Sequence, residues 1–223
     1  MSIVAWPTSI KKEGICGIPI CYYEANGQTF DNPQWWASVD VRLYIALAAA
    51  ILDGIEDFNL TAISSNGIYN DRTIRGSSSP STHSWGIAID IAGFQTKPPE
   101  HGWWVENDLH KPFLKITASE IMRKYFPDVI TWDVGQWQGG FPHIFSEATA
   151  KLHENHYHVN VSPASRFKVK TDKWHLASVN RVLRELGYNS IKAFQEAKGL
   201  VADGVAGIKT CTEIIRSLEA GGG

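Results

Sequence analysis

Apolar positions gather in separate blocks along the chain. Residues 40–58, DVRLYIALAAAILDGIEDF, are rich in Leu and Ala, with Ser38 as a cap in front, Asp40 close behind it and Gly54 near the end. They predict a buried helix of about 14 residues. NLTAISSNG then predicts a short strand running into a turn, and WGIAIDIAGF an Ile-rich strand bounded by Gly86 and Gly93, with YNDRTIRGSSSPSTHS as loop between them. ITASEIMRKYFPD opens on Thr117 with Glu120 three residues on, a capping-box arrangement, and predicts a helix to about Phe126 that Pro127 ends. HENHYHVNVS predicts a further strand. Helices mixed with strands, without regular βαβ alternation, indicate an α+β domain: a small antiparallel sheet with flanking helices.

The rest of the chain is helical. HLASVNRVLRELGY puts Leu176, Val179, Val182, Leu183 and Leu186 on one face and stops at Gly187. SIKAFQEAKG predicts a second short helix, and DGVAGIKTCTEIIRSLE a Gly-rich turn followed by a third. SPASRFKVKTD, between the two regions, has Pro, small polar residues and a basic run without helical period. The division expected is a domain over 1–165, a linker over 166–172 and a three-helix module over 173–223. Charge follows it. Residues 166–223 hold ten Lys/Arg against six Asp/Glu, and residues 1–165 hold 11 against 17.

Composition narrows the class. With 223 residues, 43% hydrophobic, 20% charged and net charge −2, the chain reads as an ordinary globular protein with room for one domain and a smaller module. A highly basic nucleic-acid packer is excluded, and no basic stretch interleaved with aromatics suggests nucleic-acid binding. The longest apolar run, Leu43 to Leu52, is too short to span a membrane. MSIVAWPTSIKKEG does not carry a basic region, apolar core and cleavage site in order, so no secretory signal is expected. The three cysteines, Cys16, Cys21 and Cys211, show no CxxC spacing, which fits a reducing compartment. A Cys16–Cys21 bridge is allowed but not required.

Histidine placement points to chemistry. Of the eight, His143, His153, His156 and His158 fall within sixteen residues, and His83 sits in a Gly/Ser-rich stretch. His83 and Asp90 stand seven apart with Gly86 between, so a turn can bring the imidazole to the mouth of the strand from which Asp90 projects. His156 and His158 are two apart and share a strand face. Two histidines and a carboxylate from neighbouring strands make a three-ligand zinc site with a fourth position for water, and His83, Asp90 and His158 are the ligands chosen. An HxH pair alone is more often a surface or core feature. It is the pairing with the His83–Asp90 segment that favours a metal.

Ser81, His83, Gly86, Ala88 and Asp90 resemble the SxHxxGxAxD signature of the zinc D-Ala-D-Ala carboxypeptidases and L-alanyl-D-glutamate endopeptidases, a superfamily that also includes hedgehog signalling domains. His153, His156 and His158 are similar to the HxxHxH motif of its murein endopeptidase and extensin-like branches, and GIYNDRTIRG resembles the extensin-like branch, where an Arg precedes the His motif. The resemblance covers most of 40–161. It implies attack of zinc-bound water on a wall-peptide carbonyl. The family's proton acceptor is often acidic and three positions before the last ligand, where this chain has Asn155. Glu154, His153 and His156 stay open for that role, with His156 favoured as transition-state partner and Glu154 or His153 as base. Arg72 matches the family's Arg as holder of the oxyanion or substrate carboxylate, and Arg75 competes with it. Ser81 is assigned to substrate binding or to the zinc-side loop, with a local turn bond as the alternative. Trp85, Trp103, Trp104, Trp132 and Trp137 flank the motifs as groove or core residues, and His101, His110, His143 and His175 are read as structural or surface.

Phe194, Gln195, Gly199, Leu200, Asp203, Gly204, Gly207 and Thr210 resemble the FQxxxGLxxDGxxGxxT run of three-helix peptidoglycan-binding domains, although a Gly/Asp-rich loop between Tyr188 and Ser190 is missing. Phe194 and Leu200 are expected in the core, Gly204 and Gly207 at positive φ, and Thr210 at the opening of the last helix. Together the resemblances imply a Zn2+-dependent peptidoglycan hydrolase of phage-endolysin type, cutting the L-alanyl-D-glutamate bond and carrying a wall-binding module. The alternatives are a D-alanyl-D-alanine carboxypeptidase and a non-catalytic, zinc-containing wall-binding protein. The expected partner is bacterial peptidoglycan, without nucleic acid or membrane insertion. The protein is expected to be monomeric, in the host cytoplasm until release to the wall or on a phage particle.

Overall fold

The computed structural model describes residues 4–23, 30, 32–71, 73–74, 78–97, 103–104, 112–130 and 156–221. Helix α1 (Val41–Phe58) organises it. Asp40 caps its start by accepting the Arg42 N–H at 2.9 Å, and Asn59, in the left-handed conformation, closes its end by donating its N–H to the Gly54 carbonyl. The helix therefore runs past Gly54, where the sequence suggested an end. Gly54 lies inside it for a packing reason, since a Cβ there would meet Phe58 at 3.1 Å and Leu60 at 3.2 Å. Every residue from Val41 to Gly54 is buried, so α1 is covered on all sides.

One cover is a six-stranded sheet in the order β2 (Ile20–Tyr22), β4 (Leu60–Gly67), β5 (Ala88–Thr96), β8 (Tyr157–Asn160), β7 (Asp128–Ile130), with β6 (Trp103–Trp104) also pairing β5. A separate ribbon pairs β1 (Pro7–Ile10) with β3 (Trp36–Asp40). The larger sheet is mixed, and this corrects the expectation of a purely antiparallel one, because β2 runs parallel to β4. A parallel pair needs a long crossover, and the segment carrying β3 and α1 supplies it. Against β4, strand β5 skips a residue: Ser64 faces Gly93 while Ser65 faces Ile91. This bulge at Ala92 reverses the alternation. Ile89, Ile91 and Phe94 are all buried on the helix side, and Asp90 projects from the open face.

Helix α2 (Pro112–Tyr125) packs beside α1, and Ala118, Ile121 and Met122 close over Phe94 with Leu47 and Ile51. It starts five residues before Thr117, with proline at the first helical position, so Thr117 and Glu120 are interior and form no capping box at the start. Helices α3 (Lys173–Glu185), α4 (Ile191–Ala197) and α5 (Ile208–Gly221) complete the chain. Asp172 and Ser190 cap the first two. The residues of the FQ…DG…T run act on one another. Buried Gln195 donates to Asp203 Oδ1 at 2.9 Å, Val205 O at 3.1 Å and Thr210 Oγ1 at 3.0 Å, and accepts the Gly204 N–H at 2.8 Å. Gly204 has φ +71° as expected, but Gly207 is not in the positive-φ region, and α5 opens at Ile208 rather than Thr210, whose hydroxyl serves the Gln195 knot instead. Phe194 is fully buried, and Leu200 is half-buried against the core.

These helices rest on α1 through buried charge. Arg181 of α3 donates to Asp53 Oδ1 at 2.8 Å, to Glu56, and to Glu185 at 3.2 Å. Tyr125 (2.7 Å) and Lys124 (3.1 Å) of α2 complete the shell around Asp53. Burial alone would raise the Asp53 carboxyl, but the bonds from Tyr125, Arg181 and Lys124 outweigh it and hold the group below its ordinary range. At the start of α1, the Arg42 guanidinium lies 4.6 Å from the Phe167 ring and 5.3 Å from Trp6, and donates to Ser162 O at 2.9 Å. The chain is thus mixed α/β, with five α-helices among the described residues, none long and apolar enough to cross a membrane.

Candidate metal centre

A short turn and two strands build the site. Thr82–Trp85 form one turn of 3-10 helix, capped by Ser81, whose hydroxyl accepts the His83 N–H at 3.4 Å. The Ser84 hydroxyl donates to Ser81 O at 2.7 Å. Gly86 ends the turn at φ +64°, and its carbonyl accepts the Asp40 N–H at 2.8 Å, which ties the turn to the start of α1. No side chain fits there, because a Cβ on Gly86 would stand 2.1 Å from the Ser38 carbonyl oxygen. Gly86→Ala is expected to cost about 2–5 kcal/mol, from left-handed strain plus overpacking, and to lower metal affinity with it. Urea unfolding alongside metal titration checks both; wild-type behaviour in the two would show that the turn can be rebuilt.

On the open sheet face Asp90 and His158 are directly opposed neighbours on β5 and β8. The turn swings His83 over them. His83 Nε2 lies 3.2 Å from Asp90 Oδ1 and 3.2 Å from His158 Nδ1, and the last two atoms are 2.8 Å apart. Ligand atoms around an ion at 2.0–2.1 Å are about 3.3 Å apart in a tetrahedron and about 3.0 Å apart at right angles, so the triangle has the size of one coordination face. The hydrogen-bond partners assign the ring tautomers. His83 Nδ1 donates to Ile68 O at 2.9 Å, leaving the Nε2 lone pair directed inward. Thr82 Oγ1 stands 3.3 Å from His158 Nε2, and when it accepts from that nitrogen the Nδ1 lone pair is left directed inward. Two lone pairs and a carboxylate thus converge on one point, which a single cation satisfies at once. Burial would raise the Asp90 carboxyl, but when the inward nitrogens carry protons they donate to it, and that bonding to His158 and His83 outweighs burial and holds the carboxyl far below the usual range. The side chains are 3%, 15% and 12% exposed for His83, Asp90 and His158, which leaves one side of the triangle accessible. This group could hold a metal ion.

His156 enters from the residue before β8. Its Nε2 stands 3.6 Å from Asp90 Oδ1, beside the triangle, and the side chain is 12% exposed. Ser81 is buried, and its contact is the local one to the His83 amide. Arg72, Arg75, His153 and Glu154 lie outside the described residues, as do Trp132, Trp137, His101, His110 and His143. Trp85 borders a cleft of about 220 Å³ with Arg42 and Pro163. His175 is structural, buried with Nε2 3.0 Å from the Ala206 carbonyl.

Two contributors escape sequence reasoning. Ile68 acts through its carbonyl, which no side-chain pattern announces. Thr82, between the two motif residues Ser81 and His83, could have been suspected from its position. Removing its hydroxyl as Thr82→Val is expected to weaken metal binding about 10–100-fold while leaving the fold intact. Competition with a chromogenic chelator measures this, and unchanged affinity would remove Thr82 from the site.

Comparison with family models, with curated proteins and with solved structures gives no match for this chain.

Proposed function

We propose that the chain is a zinc-dependent peptidoglycan hydrolase that cleaves an amide bond of the wall stem peptides, with the L-alanyl-D-glutamate bond as the expected target. The observation that carries the reading is the His83–Asp90–His158 triangle, which presents one coordination face with an accessible side and His156 next to it. Two imidazole nitrogens and a carboxylate suit zinc in a catalytic setting, where three protein ligands leave a position for water or substrate. Zinc bound there supplies Lewis acidity and brings the pKa of its water near 7. Asp90 holds the negative charge of the site and orients both rings, while His83 and His158 are locked by Ile68 O and Thr82 Oγ1. His156 is placed to take or return a proton at Nε2, a role suited to hydrolysis.

The substrate class rests on the likeness of residues 81–90, 153–158 and 194–210 to wall-hydrolase and wall-binding motifs. Docking of the wall is assigned to α3–α5, whose stretch of sequence carries the positive charge. Mass spectrometry of muropeptides released from purified sacculi, with and without chelator and with the bound metal identified, tests the proposal. Chelator-sensitive products cut after L-alanine support it. Loss of a terminal D-alanine alone would make the protein a carboxypeptidase. Bound zinc with no cleavage would leave a wall-binding protein.

A further inference from the structure

The open sheet face continues beyond the metal centre. Alternation brings Asn160 and then Ser162 onto the face that carries His158, and Asp128 of β7 stands directly opposite Asn160. Asp128, Ser162 and Pro163 line a cleft of about 400 Å³ together with Arg166, Lys168, Lys173 and Trp174. All three cations are exposed, and none forms an ion pair with another described residue. The two carboxylates in the cleft are already engaged: Asp128 accepts from Asn160 Nδ2 at 2.9 Å, and Asp172 accepts the His175 N–H at 2.9 Å. Lys173 lies over the Trp174 ring at 4.4 Å, which holds its ammonium at the cleft wall. The basic run of the joining segment therefore contributes to a cleft at the end of β7 and β8 in which three exposed cations stand against two hydrogen-bonded carboxylates.

We infer that this cleft is a subsite for a carboxylate of the peptide substrate. Strand rise is about 3.3 Å per residue, so Asn160, the last residue of β8 and the partner of Asp128, is about 7 Å along the strand from His158. A carboxylate in the cleft beyond it lies at least about two extended residues from an amide at the metal centre. That is too far for the terminal carboxylate next to a bond cut by a carboxypeptidase, and it fits internal cleavage of an acidic peptide. The inference rests on the hydrolase reading and adds to it a site for a carboxylate of the substrate away from the cut bond.

Its test separates the two. The full chain is titrated calorimetrically, in chelator so that nothing turns over, with the tetrapeptide L-alanyl-γ-D-glutamyl-L-lysyl-D-alanine as free acid and as the fully amidated form. The free acid is expected to bind about 10-fold tighter at low salt. The triple variant Arg166→Gln/Lys168→Gln/Lys173→Gln should lose that preference. A control variant of equal charge change outside α3–α5 and the cleft, Lys11→Gln/Lys12→Gln/Lys97→Gln, should keep it. Equal binding of acid and amide by the wild type, or equal loss in both variants, overturns the subsite. So does tighter binding of a glycerol-phosphate polymer than of the acidic peptide, which would give the cleft to a phosphodiester ligand. If the acid preference depends on the three residues while sacculi stay uncut, the subsite stands and the hydrolase reading falls.

Discussion

Asp90→Ala is expected to abolish binding of the proposed metal and, with it, the proposed hydrolysis. One carboxylate oxygen faces all three rings, at 3.2 Å from His83, 2.8 Å from His158 and 3.6 Å from His156, so no neighbour can replace its charge. Loss of affinity should exceed the roughly 100-fold that changes around a metal ligand cause. Asp90→Asn keeps the volume and removes only the charge, and should behave nearly as badly. His156→Ala provides the contrast, because it stands beside the triangle rather than in it. That variant should retain about one equivalent of metal yet lose about 10²- to 10⁴-fold in turnover, the range of general acid–base catalysis. Elemental analysis of dialysed protein combined with a muropeptide assay resolves the pattern. Hydrolysis at the wild-type rate by the His156 variant would remove its proposed role, and full metal content in the Asp90 variant would dissolve the site.

Arg181→Met should be the most damaging substitution away from the metal. It leaves Asp53 buried against Tyr125 with only Lys124 as charged partner, and truncating one member of such a pair costs about 3–5 kcal/mol. For a chain of this size the melting temperature should fall by about 6–20 °C. Asp53→Asn/Arg181→Met should recover part of the loss, since no unpaired charge then remains. A pH signature accompanies the effect. A carboxyl held below its ordinary value when folded adds stability above the unfolded pKa and loses it as pH falls through the folded value. The wild type should therefore lose the Asp53 contribution in acid, and the gap between wild type and Arg181→Met should narrow there. Urea titrations at neutral and acid pH measure this; a constant gap would mean that packing, not charge, carries the contact.

Sequence pattern revealed the elements whose signals are local. The apolar run of α1, the Ile-rich β5 and the HxH alternation at β8 each declare themselves within about ten residues, and the His83–Asp90–His158 triangle follows from where those strands begin. The parallel pairing of β2 with β4 was invisible, because a three-residue strand has too little alternation to read and its partner is some forty residues away. The start of α2 was misplaced since Thr117 and Glu120 mimic a cap, whereas Pro112 supplies the actual first turn. Gly54 and Gly207 were read as conformational signals. The first instead makes room for Phe58 and Leu60, and the second is not at positive φ, so a glycine's reason cannot be told from its presence. The roles of Ile68 and Thr82 depend on where His83 and His158 point, which only the folded chain determines.

Burial of α1 on every side also constrains the order in which the chain can mature. The helix ends at Phe58, but part of its cover comes from α3 and α5, whose last buried residue is Leu218. At about 5–20 residues per second of synthesis, roughly 8–32 s separate the two. Until α3 has been made, the side of α1 that it covers, with Ala46 and the buried Asp53, lacks that partner, and α5 follows later still. The cover of α1 is therefore complete only once the last quarter of the chain has been made.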